Sequence, residues 1–183
     1  MNLIIAIVGM PGSGKTEVSN ILKDKGLAYL RFGDITMEIL QTMGLAVSEK
    51  NERMVRESLR KKYGMAAYAK LIIPKIRKEL KSKSVVADGL YSWEEYLEFK
   101  KAFGTRVSLL SIYASPRTRI KRLMKRTIRS LSPDQLKSRD RAEIEKLNKG
   151  GPIAMADYTI INESNFKALK KSVDVIWKSI NRA

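Results

Sequence analysis

The sequence predicts an α/β fold, a parallel sheet with helices packed on both faces. Three observations lead there. Short apolar runs alternate with helix-patterned stretches along nearly all of the 183 residues. The first run, Leu3 to Val8, is continuously apolar, as expected of a strand buried on both faces. That run leads directly into a glycine-rich turn, Gly9 to Gly14, which opens a helix.

The remaining elements follow in order. Lys15 to about Lys25 reads as a helix closed by Gly26, and Ala28 to Phe32 as a second strand followed by Gly33 and Asp34. Ile35 to Met43 is helical and stops at Gly44. Ser48 can cap a helix that runs to about Tyr63 and is broken by Gly64. Met65 to Leu80 is helical again, with a kink or boundary expected at Pro74. Ser84 to Ala87 forms the third strand, ending in Asp88 and Gly89. Ser92 and Glu95 make a capping box, so a helix starts near Trp93. Arg106 to Tyr113 is the fourth strand. Ser115-Pro116 pairs an N-cap with proline at the first helical position, for a helix to about Arg129. Ser132, Pro133 and Gln135 repeat that signal for a helix to about Leu147. Gly150, Gly151 and Pro152 read as a loop, Tyr158 to Ile161 as the fifth strand. Ser164 then caps a last helix from Asn165 to about Ile180. The expected organisation is one domain over 1–183, with helical excursions between strands two and three and between strands four and five.

Composition narrows the chemistry. There is no cysteine, which excludes disulfides and cysteine-ligated metals, and no histidine, which removes the commonest general base and every Ser–His arrangement. Catalysis must rest on carboxylates, Lys, Arg, backbone amides and a hard cation. The net charge of +17 is compatible with nucleic acid, anionic lipid or a polyphosphate ligand, or with a solvated surface of Lys and Arg. Leu3 to Val8 lacks a basic flank, so no signal peptide is expected. No apolar run is long enough to span a bilayer, so a soluble cytoplasmic protein without membrane contact is expected.

Gly9-Met10-Pro11-Gly12-Ser13-Gly14-Lys15-Thr16 matches G-x-x-x-x-G-K-[ST], the phosphate-binding P-loop, at every required position. Its glycines let backbone N–H groups turn inward toward phosphate oxygens, and the following helix points its positive end at the same anions. Lys15 places a charge on the terminal phosphates of ATP, and the Thr16 hydroxyl can ligate magnesium. Asp88, at the end of an apolar strand, can hold magnesium through water. An ordinary Asp-Gly turn is the alternative for that pair.

The P-loop, the strand-ending Asp88-Gly89 and the two excursions resemble the nucleoside monophosphate kinase fold over essentially the whole chain. Within that group the chain looks like the archaeal adenylate-kinase-related proteins. Arg122-Leu123-Met124-Lys125-Arg126, and Ala156-Asp157-Tyr158 leading to Asn162, are also similar to dephospho-coenzyme A kinases. The resemblance implies a three-layer P-loop NTPase fold with a five-stranded parallel sheet in the order 2-3-1-4-5. It also implies a helical acceptor-binding insert at about 34–81 and an arginine-bearing lid at about 117–150. By position, Arg53, Arg56 and Arg60 would lie on the acceptor side beside Gly89, and Arg126, Arg129, Arg139 and Arg141 in or near the lid. Arg122 would approach the adenine, and Asn162 would begin the other wall of the base pocket. For any one of these arginines a solvated helix face is the alternative. Adenylate kinases usually follow Asp-Gly with Phe-Pro-Arg; here Leu90-Tyr91-Ser92 stands instead, and the arginine is missing.

The implied activity is ATP- and magnesium-dependent phosphoryl transfer to a nucleotide-like acceptor such as AMP. A sugar hydroxyl, as in dephospho-coenzyme A, would need a base, and Asp34 just past the second strand could serve, or could simply cap the next helix. An ATP-binding protein associated with nucleic acid, or a polynucleotide kinase, is a further reading on charge alone. A guanine-specific GTPase is disfavoured, since Asn148-Lys149-Gly150-Gly151 lacks the required aspartate. A motor or AAA-type ATPase fits less well, since Asp88 is followed by Gly89 rather than Glu.

Overall fold

The computed structural model describes residues 1–125 and 132–181. Among them, five strands form one parallel sheet in the order β2-β3-β1-β4-β5. These are β1 (Ile4–Val8), β2 (Ala28–Arg31), β3 (Val85–Asp88), β4 (Val107–Tyr113) and β5 (Tyr158–Ile161). The first described helices are α1 (Lys15–Asp24), α2 (Phe32–Thr42), α3 (Glu49–Tyr63) and α4 (Ala67–Glu79). They continue with α5 (Trp93–Phe103), α6 (Pro116–Met124), α7 (Pro133–Glu145), α8 (Gly150–Ala154) and α9 (Phe166–Ile180).

Strand alternation divides the core. Ile4, Ala6 and Val8 of β1 face a cluster with Phe32, Leu40, Ile72, Ile76 and Phe99 from the helices of one layer. Ile5 and Ile7 face the other side, against Val18 and Leu22 of α1 and Leu169 and Val173 of α9. Every residue of β1 is buried, as its unbroken apolar run requires. Parallel strands place the turns after β1, β2, β3, β4 and β5 along one edge of the sheet, where ligands of open α/β sheets bind.

Several boundaries differ from the sequence expectation. β2 stops at Arg31, and Phe32 opens α2 without an intervening loop. Phe32 is fully buried, and its burial in the core starts the helix three residues early. Asp34 therefore lies in the first turn of α2 and is not its cap; that position belongs to Arg31, which makes no side-chain cap bond. Pro74 does not divide α4, which runs through it. Pro74 and Lys70 both lie on the exposed face, where a carbonyl freed by proline can meet water. Gly150, Gly151 and Pro152 begin the short helix α8 rather than a loop. Proline near a helix start sacrifices no hydrogen bond. Asn165, not Ser164, caps α9, accepting the Ala168 N–H at 3.0 Å. The expected extension of α6 to Arg129 enters residues outside the described ones.

Candidate phosphate and acceptor site

The turn from β1 to α1 has the backbone a phosphate cradle needs. Gly9 has φ +149°, and a Cβ there would come within 2.4 Å of the Ile112 carbonyl oxygen. Gly14 caps α1 at φ +101°, and a Cβ there would meet Asn162 Nδ2 at 2.3 Å. Both positions need a residue without a side chain. Lys15 Nζ donates to Gly9 O at 2.8 Å and Met10 O at 3.2 Å, so the ammonium lies over the mouth of the loop. The Ser13 hydroxyl is buried and has no hydrogen-bond partner among the described residues. Pro11 is buried, and Gly12 has φ +79° with Arg119 O and Leu123 against it. An orphaned hydroxyl, an inward lysine and a helix N-terminus together fit a triphosphate.

Thr16 is exposed on the first turn of α1. Asp88 ends β3, is paired in register with Ile7 and is only 5% exposed. The Tyr29 hydroxyl donates to Asp88 Oδ2 at 3.1 Å. Burial, then the Asp88 charge, pushes the Tyr29 hydroxyl up, so it remains a donor. No group of three or more His, Cys, Asp or Glu forms a metal cluster among the described residues. A magnesium ion here would be held by Asp88, the Thr16 hydroxyl, phosphate oxygens and water, a donor set that suits it.

Lys15 is pulled down to about 7, first by burial and then by the charge of Lys149, with Asp88 and Glu143 opposing. Lys149 belongs to the same cluster. It is 1% exposed, bonded to Glu143 Oε2 at 2.5 Å and 4.5 Å over the Tyr91 ring. Arg139 pairs with the same Glu143 at 3.2 Å, and its charge reaches Lys15 and Tyr91. Glu95 closes the capping box of α5 and also carries a buried carboxylate. Its Oε2 accepts from the N–H groups of Tyr91 (2.7 Å) and Ser92 (3.3 Å), while Oε1 is buried without a hydrogen-bond partner among the described residues. Burial pushes Glu95 up to about 7.

Arg122 and Asn162 come together, but around the cradle itself. Asn162 Nδ2 donates to Ser13 O at 2.8 Å, and Arg122 Nη2 donates to Asn162 O at 3.0 Å. Arg119 is buried and donates to Pro11 O at 3.1 Å, to Ala114 O at 3.2 Å and to both carboxylate oxygens of Asp140. It joins α6, α7 and the cradle.

The three arginines expected on the acceptor side, Arg53, Arg56 and Arg60, separate. Arg53 is 70% exposed and paired to Glu57; Arg56 is shared between Glu49 and Glu52. Arg60 differs: its Nε is buried without a hydrogen-bond partner among the described residues, and its guanidinium lies 5.7 Å from the Tyr68 ring centroid. Arg141 is exposed and paired to Glu145. Arg126 and Arg129 lie outside the described residues. Asp34 is half-exposed and paired to Arg31 at 3.2 Å. Gly89 has φ +93° and lies under the Tyr91 ring. No local pattern marks Lys149, Arg119 or Glu95 as site residues: Tyr91 lies over Lys149 from a distant element, Pro11 and Asp140 hold Arg119, and the charge of Arg60 reaches Glu95.

A family model described as AAA domain matches residues 5–146. Asp88 followed by Gly89 speaks against an AAA-type ATPase, and the family match over residues 5–146 corrects that expectation. A UPF0200 protein of Sulfurisphaera tokodaii is 36% identical over 181 residues, covering 97% of both chains. Among solved structures, shikimate kinase from Bacteroides thetaiotaomicron aligns over 98% of both chains with a TM-score of 0.62 at 15% identity. A gluconokinase from Sinorhizobium meliloti 1021 aligns over 92% of this chain and 87% of that one, with a TM-score of 0.58 at 14% identity. These likenesses are of fold, and they agree with the sheet order and the helices on both of its faces. The chain belongs to the UPF0200 family, within the AAA-domain grouping, and is built on the P-loop kinase fold.

Proposed function

We propose that this protein is an ATP- and magnesium-dependent phosphotransferase acting on a nucleotide-like small molecule, related to the adenylate kinases. One observation carries the reading: Lys15 and the orphaned Ser13 hydroxyl converge in the cradle at the end of β1, beside Asp88 at the end of β3. The cradle N–H groups and Lys15 hold the β- and γ-phosphates, and Thr16 and Asp88 orient the metal. Magnesium, when bound, neutralises charge on the transferring phosphoryl group. Arg139 stands close enough to steady the same charge, and Arg122 with Asn162 keeps the cradle in shape. Small-molecule specificity is supported by neighbours named shikimate kinase and gluconokinase.

The test is ADP formation from Mg-ATP against AMP, CMP, UMP, GMP, dephospho-coenzyme A and a short RNA. An acceptor-dependent rate that Lys15→Ala abolishes, with the fold intact, is the expected result. Fast ATP hydrolysis that no acceptor accelerates, or activity unchanged in Lys15→Ala, overturns it. A second reading, phosphorylation of a ribose hydroxyl as in a dephospho-coenzyme A kinase, is favoured by the half-exposed Asp34 carboxylate beyond β2 and by the absence of an arginine after Gly89. A rate with dephospho-coenzyme A alone, lost in Asp34→Asn, selects it. A rate only with RNA moves the protein to a polynucleotide kinase.

A further inference from the structure

Lys149 is buried far beyond what is usual for lysine, a side chain almost never fully enclosed unless paired. It follows Asn148, whose φ of 51° places a left-handed turn before α8. Its ammonium donates to Glu143 Oε2 and lies 4.5 Å from the Tyr91 ring centroid. Tyr91 in turn covers Gly89, where a Cβ would meet the ring at 3.4 Å. The Gly89 N–H donates to Ile7 O at 3.2 Å, beside the strand that feeds the phosphate cradle. Lys149 thus stands over the edge of the sheet where a phosphoryl group would arrive.

The charges around it are closely coupled. Lys15, Lys149 and Arg139 act on one another, against Glu143 and Asp88, and the charge of Glu95 also reaches Lys149. With Asp88 given to a metal, Glu143 is divided between Lys149 and Arg139, and Glu95 Oε2 is taken up by the N–H groups of Tyr91 and Ser92. The phosphates of ATP answer Lys15. Among the described residues Lys149 is bonded to one carboxylate, the shared Glu143, and the segment from Leu90 to Trp93 contributes no cation of its own. Deeper on the acceptor side, Arg60 keeps a buried Nε without a hydrogen-bond partner among the described residues. A buried ammonium held by one shared carboxylate is well placed to exchange it for a ligand anion, because charge-assisted bonds to phosphate or carboxylate are strong there.

We propose that Lys149 binds the anionic group of the acceptor, a phosphate or carboxylate, which displaces Glu143 from its ammonium. The inference rests on the phosphotransferase reading and narrows it: the acceptor carries an anion that sits over Tyr91, with the rest of the molecule directed toward Arg60 and Tyr68.

The experiment loads the protein with magnesium and a non-hydrolysable ATP analogue, then titrates inorganic phosphate and AMP. At about pH 6, where Lys15 is charged with or without Lys149, Lys149→Met weakens binding of both by about tenfold or more, while analogue affinity stays within about threefold. Glu143→Gln removes the competing carboxylate and strengthens phosphate binding, and the gain vanishes in the double variant Glu143→Gln/Lys149→Met. A Lys149–Glu143 pair that only braces α7 against α8 would instead lose binding in both single variants, which overturns the proposal. So does a Lys149→Met protein that binds phosphate and AMP like the wild type, or a loaded wild type that binds neither. If the wild type fails to bind the analogue, the phosphotransferase reading falls; if it binds and Lys149→Met is silent, only the acceptor assignment falls.

Discussion

Lys15 can hold phosphate only as an ammonium, yet burial and Lys149 bring it down to about 7. At about pH 8 most of it is neutral in the free protein, and a bound triphosphate restores the charge. Mg-ATP binding is therefore expected to take up close to one proton at about pH 8 and little at about pH 6. Calorimetry in buffers of different ionisation enthalpy measures this, and no buffer dependence at the higher pH refutes it. The folded chain also holds fewer protons than the unfolded one from about pH 7 to 10.5, so the cost of burying Lys15 fades as pH rises. Glu95 has the opposite sign. Raised from 4.5 to about 7, it holds more protons when folded, and stability is lost as pH rises through that window. Glu95→Gln keeps an acceptor for the Tyr91 and Ser92 N–H groups, so it should raise the melting temperature at about pH 8 by roughly 3–6 °C, about 1–2 kcal/mol. At about pH 5 most of the gain should be gone; equal gains at both pH values would count against a buried, titrating Glu95. The cradle and Asp88 were legible in the sequence because a contiguous motif and a strand end carry their chemistry. Lys149 and Glu95 were not, because their burial depends on Tyr91, Glu143 and Arg60 coming together from separate elements.

The strands and most helices follow from local signals: apolar runs of strand length, and caps at Ser48, Ser92, Ser115 and Ser132 that each accept the expected backbone N–H. What local signals missed are ends decided by packing, as at Phe32, whose ring lies 5.5 Å from Phe99 and draws the start of α2 back to the end of β2. The same limit hid the staple between excursion and core. Arg119 and Asp140 are separated by the segment joining α6 to α7, and no spacing rule pairs them. The guanidinium is 5% exposed and gives α6 and α7 a common attachment to the Pro11 carbonyl of the cradle. Removing one partner leaves a largely buried carboxylate and a cradle carbonyl unmatched. Arg119→Met is expected to cost about 3 kcal/mol in denaturant unfolding and to weaken ATP-analogue binding as the cradle loosens. Asp140→Asn, which keeps a hydrogen-bonding oxygen, should cost less. A neutral Arg119→Met would mean that α7 is held by other contacts.

Taken as a whole, the molecule carries +17, yet its most consequential charges are enclosed: Lys149, Arg119, Asp88 and Glu95 are all buried. Most of the remaining Lys and Arg lie on helix faces open to water, among them Arg53 and Arg141, whose pairs are exposed. Salt acts differently on the two groups. Exposed charges are screened over about 8–10 Å at physiological ionic strength, while enclosed ones are screened much less. Attraction of the surface to a short RNA should therefore weaken by about tenfold or more between about 50 and 300 mM KCl, as counterion release requires. Acceptor-dependent ATP turnover should change by less than about threefold over the same range, because its cations are held inside the sheet edge. Filter binding and ADP formation, measured on one preparation, give the comparison. Turnover falling in step with RNA affinity would mean that surface charge, not the enclosed cluster, governs the chemistry. RNA binding that persists at about 300 mM KCl and distinguishes sequences would make nucleic acid the partner and leave the P-loop to power that interaction.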